Sequence, residues 1–220
     1  MASLSVESVD GVRTGGLLAA CVAEHGSVTH PWFGSEVLVC GPEASRNLAD
    51  AIHFLCALHG RHPGVIDHAA TRTHDAGARA WLNEAAAAAA AERTLLTRLA
   101  VAAGPIPSTP GGSSSEAAIQ AQRGALSTLA QSDRKGTALG AALAFASDWA
   151  PVRKQVIEAA AKRLGVDILP HGFGDAATWR AVADEAAVSE RALLFGAQQL
   201  ALQHRALWDL LEARAQARQY

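Results

Sequence analysis

Alanine is the feature that most limits how this chain folds, because it makes up close to a quarter of the residues and fills positions 85–91 without interruption. Alanine has the highest intrinsic helix propensity and is a poor strand residue. Aromatic residues contribute only 5% of the chain, so most of the core must be built from small side chains. The composition therefore predicts an all-α fold and excludes a β-sandwich or a β-barrel.

The length of 220 residues favours a single domain, and a chain of this size buries about 70% of its unfolded surface. The hydrophobic fraction of 50% and the charged fraction of 18% exclude intrinsic disorder. A formal net charge of -2 lacks the basic excess of a dedicated nucleic-acid binder. No apolar run approaches the roughly 18 residues of a membrane span. We therefore predict neither a nucleic-acid partner nor a membrane partner.

The three cysteines indicate a reduced protein. Cys21, Cys40 and Cys56 are an odd number and contain no Cys-x-x-Cys pair, which argues against a disulfide framework in a chain of this length. We therefore predict a cytoplasmic location.

Helix signals predict a single-domain bundle of about five main helices, mostly antiparallel. Pro63 ends the first helix, Gly77 interrupts or bends the second, and Pro151 kinks the fourth. The five main helices are predicted at about 42–62, 64–103, 115–131, 137–164 and 175–218. Residues 1–42 are expected to form a small irregular N-terminal extension that packs on the bundle domain, residues 43–220. Residues 104–115, rich in Pro, Gly and Ser, read as a loop.

Helical periodicity places a few polar side chains on the apolar faces of these helices. Buried imidazoles and carboxylates are normally hydrogen-bonded, ion-paired or bound to a ligand, so they point to a site. The binding-pocket candidates are His59, Asp67, His74, Glu92, Glu190 and His204. The inward placement of Asp67 and His74 requires a helix that continues through Gly77. His53 falls on the opposite, polar face of its helix together with Asp50 and is predicted to face solvent.

One pairing among these candidates is constrained by the short connection between the first two helices. If the helices form a hairpin through residues 60–64, His59 lies opposite Asp67. The spacing therefore predicts a histidine–carboxylate hydrogen bond between them, with His62 and His68 nearby.

A metal site is a weaker interpretation of the same region. Five histidines fall between positions 53 and 74, and His59, His62 and His68 are the weak candidate ligands. Pro63 breaks the helix between them, and a zinc site needs three or four converging ligands. The sequence shows no complete set and assigns no cofactor.

An enzyme is the alternative class, because the long helices with inward Glu92, Glu190 and His204 resemble the ferritin-like and the heme-oxygenase-like bundles. The resemblance implies a metal or cofactor held by inward His, Glu and Asp side chains. The ferritin-like di-metal proteins carry Glu-x-x-His on two helices, and no Glu-x-x-His occurs in this chain. The resemblance therefore covers the architecture and not the metal chemistry.

The function predicted from the sequence is that of a soluble binding or interaction module with a small polar pocket for a small-molecule ligand. Leu194, Phe195 and Leu202 form a second apolar set on the last predicted helix, which makes a homodimer the expected partner arrangement. The bundle enzyme remains the alternative. Bound metal or a chromophore in the purified protein would distinguish the two classes.

Overall fold

The computed structural model describes residues 13–170 and 172–219, and the regular elements in these ranges are all helical. The predicted all-α class is confirmed. The α-helices are α1 Thr14–His25, α2 Glu36–Val39, α3 Ala44–His59, α4 Val65–Arg72, α5 Ala76–Ala103, α6 Gly112–Ala130, α7 Thr137–Val152, α8 Glu158–Leu164, α9 Ala176–Glu185 and α10 Glu190–Ala217. A 3₁₀ turn covers Ser27–Thr29, and a π-helical turn covers Arg153–Ile157.

The predicted number of about five main helices is too low. Three of the predicted long helices are divided, and α1 and α2 lie in the segment that was predicted to be irregular. The second predicted helix is interrupted at 73–75, where the Asp75 side chain caps α5 by accepting a hydrogen bond from the backbone N–H of Ala78 at 2.9 Å. The last is interrupted at 186–189, where Ser189 caps α10 by accepting one from Ala192 at 3.4 Å. Both caps satisfy backbone donors that a helix start leaves free.

Pro151 lies near the end of α7, and the kink predicted there stays a prediction. Proline has no N–H to donate to the preceding turn, and the chain continues past it as the π-helical turn Arg153–Ile157 before α8 begins. The predicted helix 137–164 is therefore three consecutive helical segments. π-Helical turns inside α-helices are rare and frequently occur at functional sites, and this one opens with Arg153, a buried cation.

Helix α7 is the centre of the bundle, since every residue from 137 to 146 is buried. It packs closely on α10 through two glycines that face each other's backbones. A Cβ atom on Gly140 would overlap the carbonyl group of Leu193, and one on Gly196 would overlap the carbonyl group of Thr137. The two helices approach so closely only because both positions lack a side chain.

The described part of the N-terminal segment contributes to the same core. Leu18 and Val22 of α1 are buried in one cluster with Trp32, Phe33 and Leu38, and α1 packs against α9 and α10. Residues 13–42 are therefore more ordered than the predicted irregular extension, and residues 1–12 lie outside the described part. The division of the chain at residue 42 stays a prediction.

Among the described helices, none is both long and apolar enough to cross a membrane. Phe195 and Leu202 on α10 are 44% and 38% exposed, and the homodimer that they suggest stays a prediction. The cytoplasmic location likewise stays a prediction.

Candidate functional site

Two buried histidines meet inside a cluster of aromatic rings at the centre of the bundle. His59, the last residue of α3, packs edge-on against His204 of α10, with ring centroids 4.9 Å apart. Phe145 and Trp149 of α7 pack edge-on against the His59 ring, at 4.9 and 5.7 Å. The four rings bring together three helices that are far apart in the sequence.

Asp148 fixes the position of the His204 ring by a hydrogen bond. Its carboxylate accepts hydrogen bonds from the backbone N–H of Ser27 at 2.9 Å, from the Ser27 hydroxyl at 2.5 Å and from His204 Nδ1 at 2.7 Å. An ionised carboxylate only accepts hydrogen bonds, so the proton of this last bond lies on Nδ1 of His204. The other ring nitrogen of His204, Nε2, is buried and has no partner in the described structure.

His59 also has a buried ring nitrogen without a partner, Nε2. Burial, followed by the proximity of His204, holds the pKa of the His59 imidazole well below its ordinary value of 6.5. Both causes disfavour the imidazolium form. His59 is therefore neutral near pH 7 and offers one N–H donor and one lone pair.

A buried ion pair lies next to this cluster. Glu92 of α5 accepts hydrogen bonds from Trp149 Nε1 at 3.0 Å and from Arg153 Nε at 2.8 Å. Arg153 also donates to the backbone carbonyl of Leu169. Because both oxygens of Glu92 have partners and its charge is matched by Arg153, the carboxylate is stable in an apolar interior.

A cavity of about 390 Å³ opens beside His59 between α3, α4, α5, α6 and α7. Its buried end contains His59, Glu92, Phe145 and Trp149. Its entrance contains basic side chains, of which Arg61 and His62 are exposed and His68, Arg93 and Arg123 are half-buried. Among the described residues that line the cavity, Glu92 is the single carboxylate, and Arg153 already neutralises it.

The basic end contains two arginines with no partner of their own. In the described structure neither Arg61 nor Arg123 makes a side-chain hydrogen bond or an ion pair, whereas Arg93 is paired with Asp67. Arg61 is exposed and Arg123 is half-buried. The entrance to the cavity therefore carries unbalanced positive charge.

The predicted hydrogen bond between His59 and Asp67 is wrong. Asp67 lies in the first turn of α4, where it accepts from the backbone N–H of Gly64 at 2.7 Å and from Arg93 at 2.8 Å. His62 Nδ1 is 3.3 Å from the same carboxylate. Capping the start of α4 turns Asp67 toward Arg93 at the entrance, whereas His59 turns toward the aromatic rings.

The structure brings some of the candidates from the sequence together and leaves others outside. His59 and Glu92 line the cavity, His204 is in contact with His59, and Asp67 pairs with the lining residue Arg93. The remaining two are exposed and do not line the cavity. His74 lies in the interruption between α4 and α5, where the helical count no longer applies. Glu190 opens α10 and accepts from Thr14 Oγ1 at 2.8 Å.

The weak metal candidates share this cavity without forming a ligand set. His59, His62 and His68 all line it. Within residues 13–170 and 172–219, no three His, Cys, Asp or Glu side chains group in a way that could hold a metal ion. In the described part of the chain, His59, His62 and His68 therefore do not converge into a ligand set.

Asp148, Phe145, Trp149 and Arg153 belong to the site and were not among the residues selected from the sequence. Asp148 carried a readable signal, because it is the single charged residue between positions 137 and 152. A lone carboxylate in such an apolar run must be paired inside the protein. Arg153 also carried a signal, because it follows Trp149 by four residues and so falls on the same helix face.

A second buried charge cluster lies at the other end of α3. Asp50 is 1% exposed and accepts from Arg214 Nη2 at 2.9 Å and also from Arg218. Arg214 Nη2 also donates a hydrogen bond to the carbonyl oxygen of Pro107 at 3.1 Å, and this bond connects the 104–111 loop to the bundle. His53, predicted to face solvent, is half-buried, and its Nε2 lies 2.8 Å from the carbonyl oxygen of Gly104.

Acid is expected to destabilise the protein through His59. Its pKa in the folded state lies below the value of 6.5 that applies when it is exposed, so the unfolded chain binds the proton more readily. The free energy of unfolding therefore falls as the pH drops below about 6.5, with a slope of up to about 1.4 kcal/mol per pH unit for this group. Urea unfolding between pH 7.5 and 5 measures the slope.

The control for this pH effect is His59→Phe, which keeps a ring and removes the titrating group. In the variant, the slope of the unfolding free energy against pH is expected to be smaller than in wild type by up to about 1.4 kcal/mol per pH unit, the contribution of one titrating group. An unchanged slope in the variant would contradict the assignment to His59.

Fold and site together define an all-helical protein with a buried histidine–aromatic cluster that faces a cavity with a basic entrance. The model of a family of unknown function, DUF6975, matches residues 22–219, so the chain belongs to this family. No curated protein and no solved structure matches the chain.

Proposed function

We propose that the protein binds a small organic anion with an apolar body in the cavity beside His59. The observation that carries the proposal is the division of the cavity into a buried aromatic end and an entrance with unpaired arginines. A volume of about 390 Å³ is within the range of roughly 300–1,000 Å³ that small-molecule sites occupy.

The apolar part of the ligand is accommodated by flat and aliphatic side chains. Phe145 and Trp149 stack on each other with centroids 5.0 Å apart, and both line the cavity. Leu58, Leu96 and Leu126 line it as well. Burying an apolar ligand against these surfaces releases water from both, which is the main source of affinity in such pockets.

The charged side chains that line the cavity favour a negatively charged ligand. Arg61 and Arg123 have no carboxylate partners in the described structure, and Glu92 is already paired. An anionic group at the entrance gains charge-assisted hydrogen bonds from these guanidinium groups, whereas a cationic ligand meets repulsion there. The cavity is therefore suited to carboxylates and unsuited to amines.

Titration calorimetry with small carboxylates and with amines of the same carbon skeleton tests this proposal. Carboxylates are expected to bind and the matching amines are not. Replacing both Arg61 and Arg123 with alanine is expected to weaken carboxylate binding by about 10-fold or more, because hydrogen bonds to charged groups contribute about 1.5–3 kcal/mol.

Arg98→Ala is the matched control, because Arg98 is an exposed arginine of α5 that does not line the cavity. This variant is expected to bind carboxylates as the wild type does. Equal binding of amines and carboxylates, or equal loss in the Arg98 control, would refute the anion proposal.

A catalytic role for the same cavity is a second candidate, favoured by the Asp148–His204 pair behind His59. A carboxylate and two imidazoles beside a cavity are groups that can move a proton. In the form that uses a metal or cofactor, this candidate predicts bound metal or a chromophore in the purified protein. Elemental analysis and an absorption spectrum examine that form directly.

A further inference from the structure

We propose that the ligand carries a neutral hydroxyl group at the end opposite its anionic group, and that His59 recognises this hydroxyl at the buried end of the cavity. The ligand class is thus a hydroxyaryl carboxylate, with the phenol inside and the carboxylate at the entrance. This inference rests on the proposed organic-anion function and adds the second polar group and the orientation of the ligand.

The first observation is the missing partner of His59. His59 is more than nine-tenths buried, lines the cavity, and has no hydrogen bond at either ring nitrogen in the described structure, with Nε2 fully buried. A buried polar atom without a partner costs free energy comparable to a lost hydrogen bond. A ligand that fills the cavity and supplies this hydrogen bond recovers that cost.

The second observation is the charge at the buried end, which selects a neutral group. Glu92 lines this end and is neutralised by Arg153 at 2.8 Å, so no net charge remains there for a second ion to pair with. His59 itself is neutral, because burial and His204 lower its pKa. An anion placed here would be repelled by the Glu92 carboxylate, and a cation would be repelled by the Arg153 guanidinium.

A hydroxyl suits His59 better than other neutral groups. A neutral imidazole presents a lone pair at one ring nitrogen and an N–H at the other, and its tautomer decides which is which. A hydroxyl donates to the first and accepts from the second, so it pairs with either form. The aromatic surfaces of Phe145 and Trp149 favour a ring next to this hydroxyl, because rings stack or pack edge-on there.

His204 and Asp148 act as positioning residues in this proposal. The Asp148 carboxylate is 2.7 Å from His204 Nδ1 and fixes the His204 ring. The His204 ring packs edge-on against the ring of His59, which lines the cavity. The orientation of His59 is therefore set before a ligand arrives, which reduces the entropy cost of binding.

The test compares 3-(4-hydroxyphenyl)propionate with 3-phenylpropionate, two carboxylates that differ by one hydroxyl, by titration calorimetry on the full chain. We expect the hydroxylated probe to bind wild type about 10-fold more tightly, the effect of one net hydrogen bond near 1.4 kcal/mol. In His59→Phe the ratio of the two affinities is expected to fall to about one.

Equal affinity of the two probes for wild type would overturn the hydroxyl inference and leave the organic-anion function standing. Binding of neither probe would overturn both. A preference that persists in His59→Phe would remove His59 from the recognition. A measurement that needs no variant is the ¹⁵N spectrum of labelled histidine in wild type. The ring-nitrogen signals of His59 are expected to shift with the hydroxylated probe and not with the other, and equal shifts would overturn the inference.

Discussion

Replacing Asp148 with alanine is expected to lower the free energy of unfolding by about 4 kcal/mol, because removing one partner of a buried ion pair or hydrogen-bonded cluster typically costs 3–5 kcal/mol. Three donors lose their acceptor at once: the Ser27 N–H, the Ser27 hydroxyl and His204 Nδ1. Small domains are stable by only about 5–15 kcal/mol. Chemical denaturation monitored by circular dichroism gives the value.

Asp167→Ala is the matched control for this prediction, since Asp167 is an exposed aspartate. It is expected to change the stability by no more than about 0.5 kcal/mol. A double variant that also replaces His204 with alanine is expected to cost less than the sum of the two single changes, because both remove the same hydrogen bond. A loss below about 1 kcal/mol for Asp148→Ala would contradict the buried network.

The second large effect is expected for Asp50→Ala, with a loss of about 3–5 kcal/mol in the free energy of unfolding. The change leaves Arg214 and Arg218 without their carboxylate, and Arg214 is only 4% exposed. Because Arg214 also holds Pro107, the loop 104–111 is expected to become more accessible. Limited proteolysis followed by mass spectrometry locates the new cleavage sites.

The control for Asp50 is Asp133→Ala, which removes an exposed aspartate paired with Arg72 at 2.9 Å. An exposed ion pair contributes at most about 1 kcal/mol, so this variant is expected to keep both its stability and its loop protection. If Asp50→Ala behaved like Asp133→Ala, the buried cluster would have no structural role.

The helices themselves were largely predictable, because they depend on local signals. Alanine content and apolar periodicity predicted α3 and α6 to within a few residues. Pro63 lies in the connection between α3 and α4, and Pro151 lies just before the π-helical turn. The interruption at 186–189 was missed. Alanine and valine there do not oppose a helix, and the N–H of Ala187 turns toward Asp75 at 3.4 Å, a contact that no local pattern encodes.

The inward direction of single site residues was predictable from the sequence, but the contacts between these residues were not. Helical faces correctly placed His59, Glu92 and His204 inward. Their partners follow from how helices cross, and the sequence does not give crossing positions. The same limit explains Asp50, which the helical face assigned to solvent, since its arginine partner lies 164 residues further along.

That distance of 164 residues has a consequence for how the protein is made. During synthesis α3 emerges long before α10, so the Asp50 carboxylate must remain in water until Arg214 arrives. Helix α3 therefore cannot complete its packing on a nascent chain that stops short of the last helix. An interrupted product therefore keeps an unpaired carboxylate at the position where the finished chain has an ion pair.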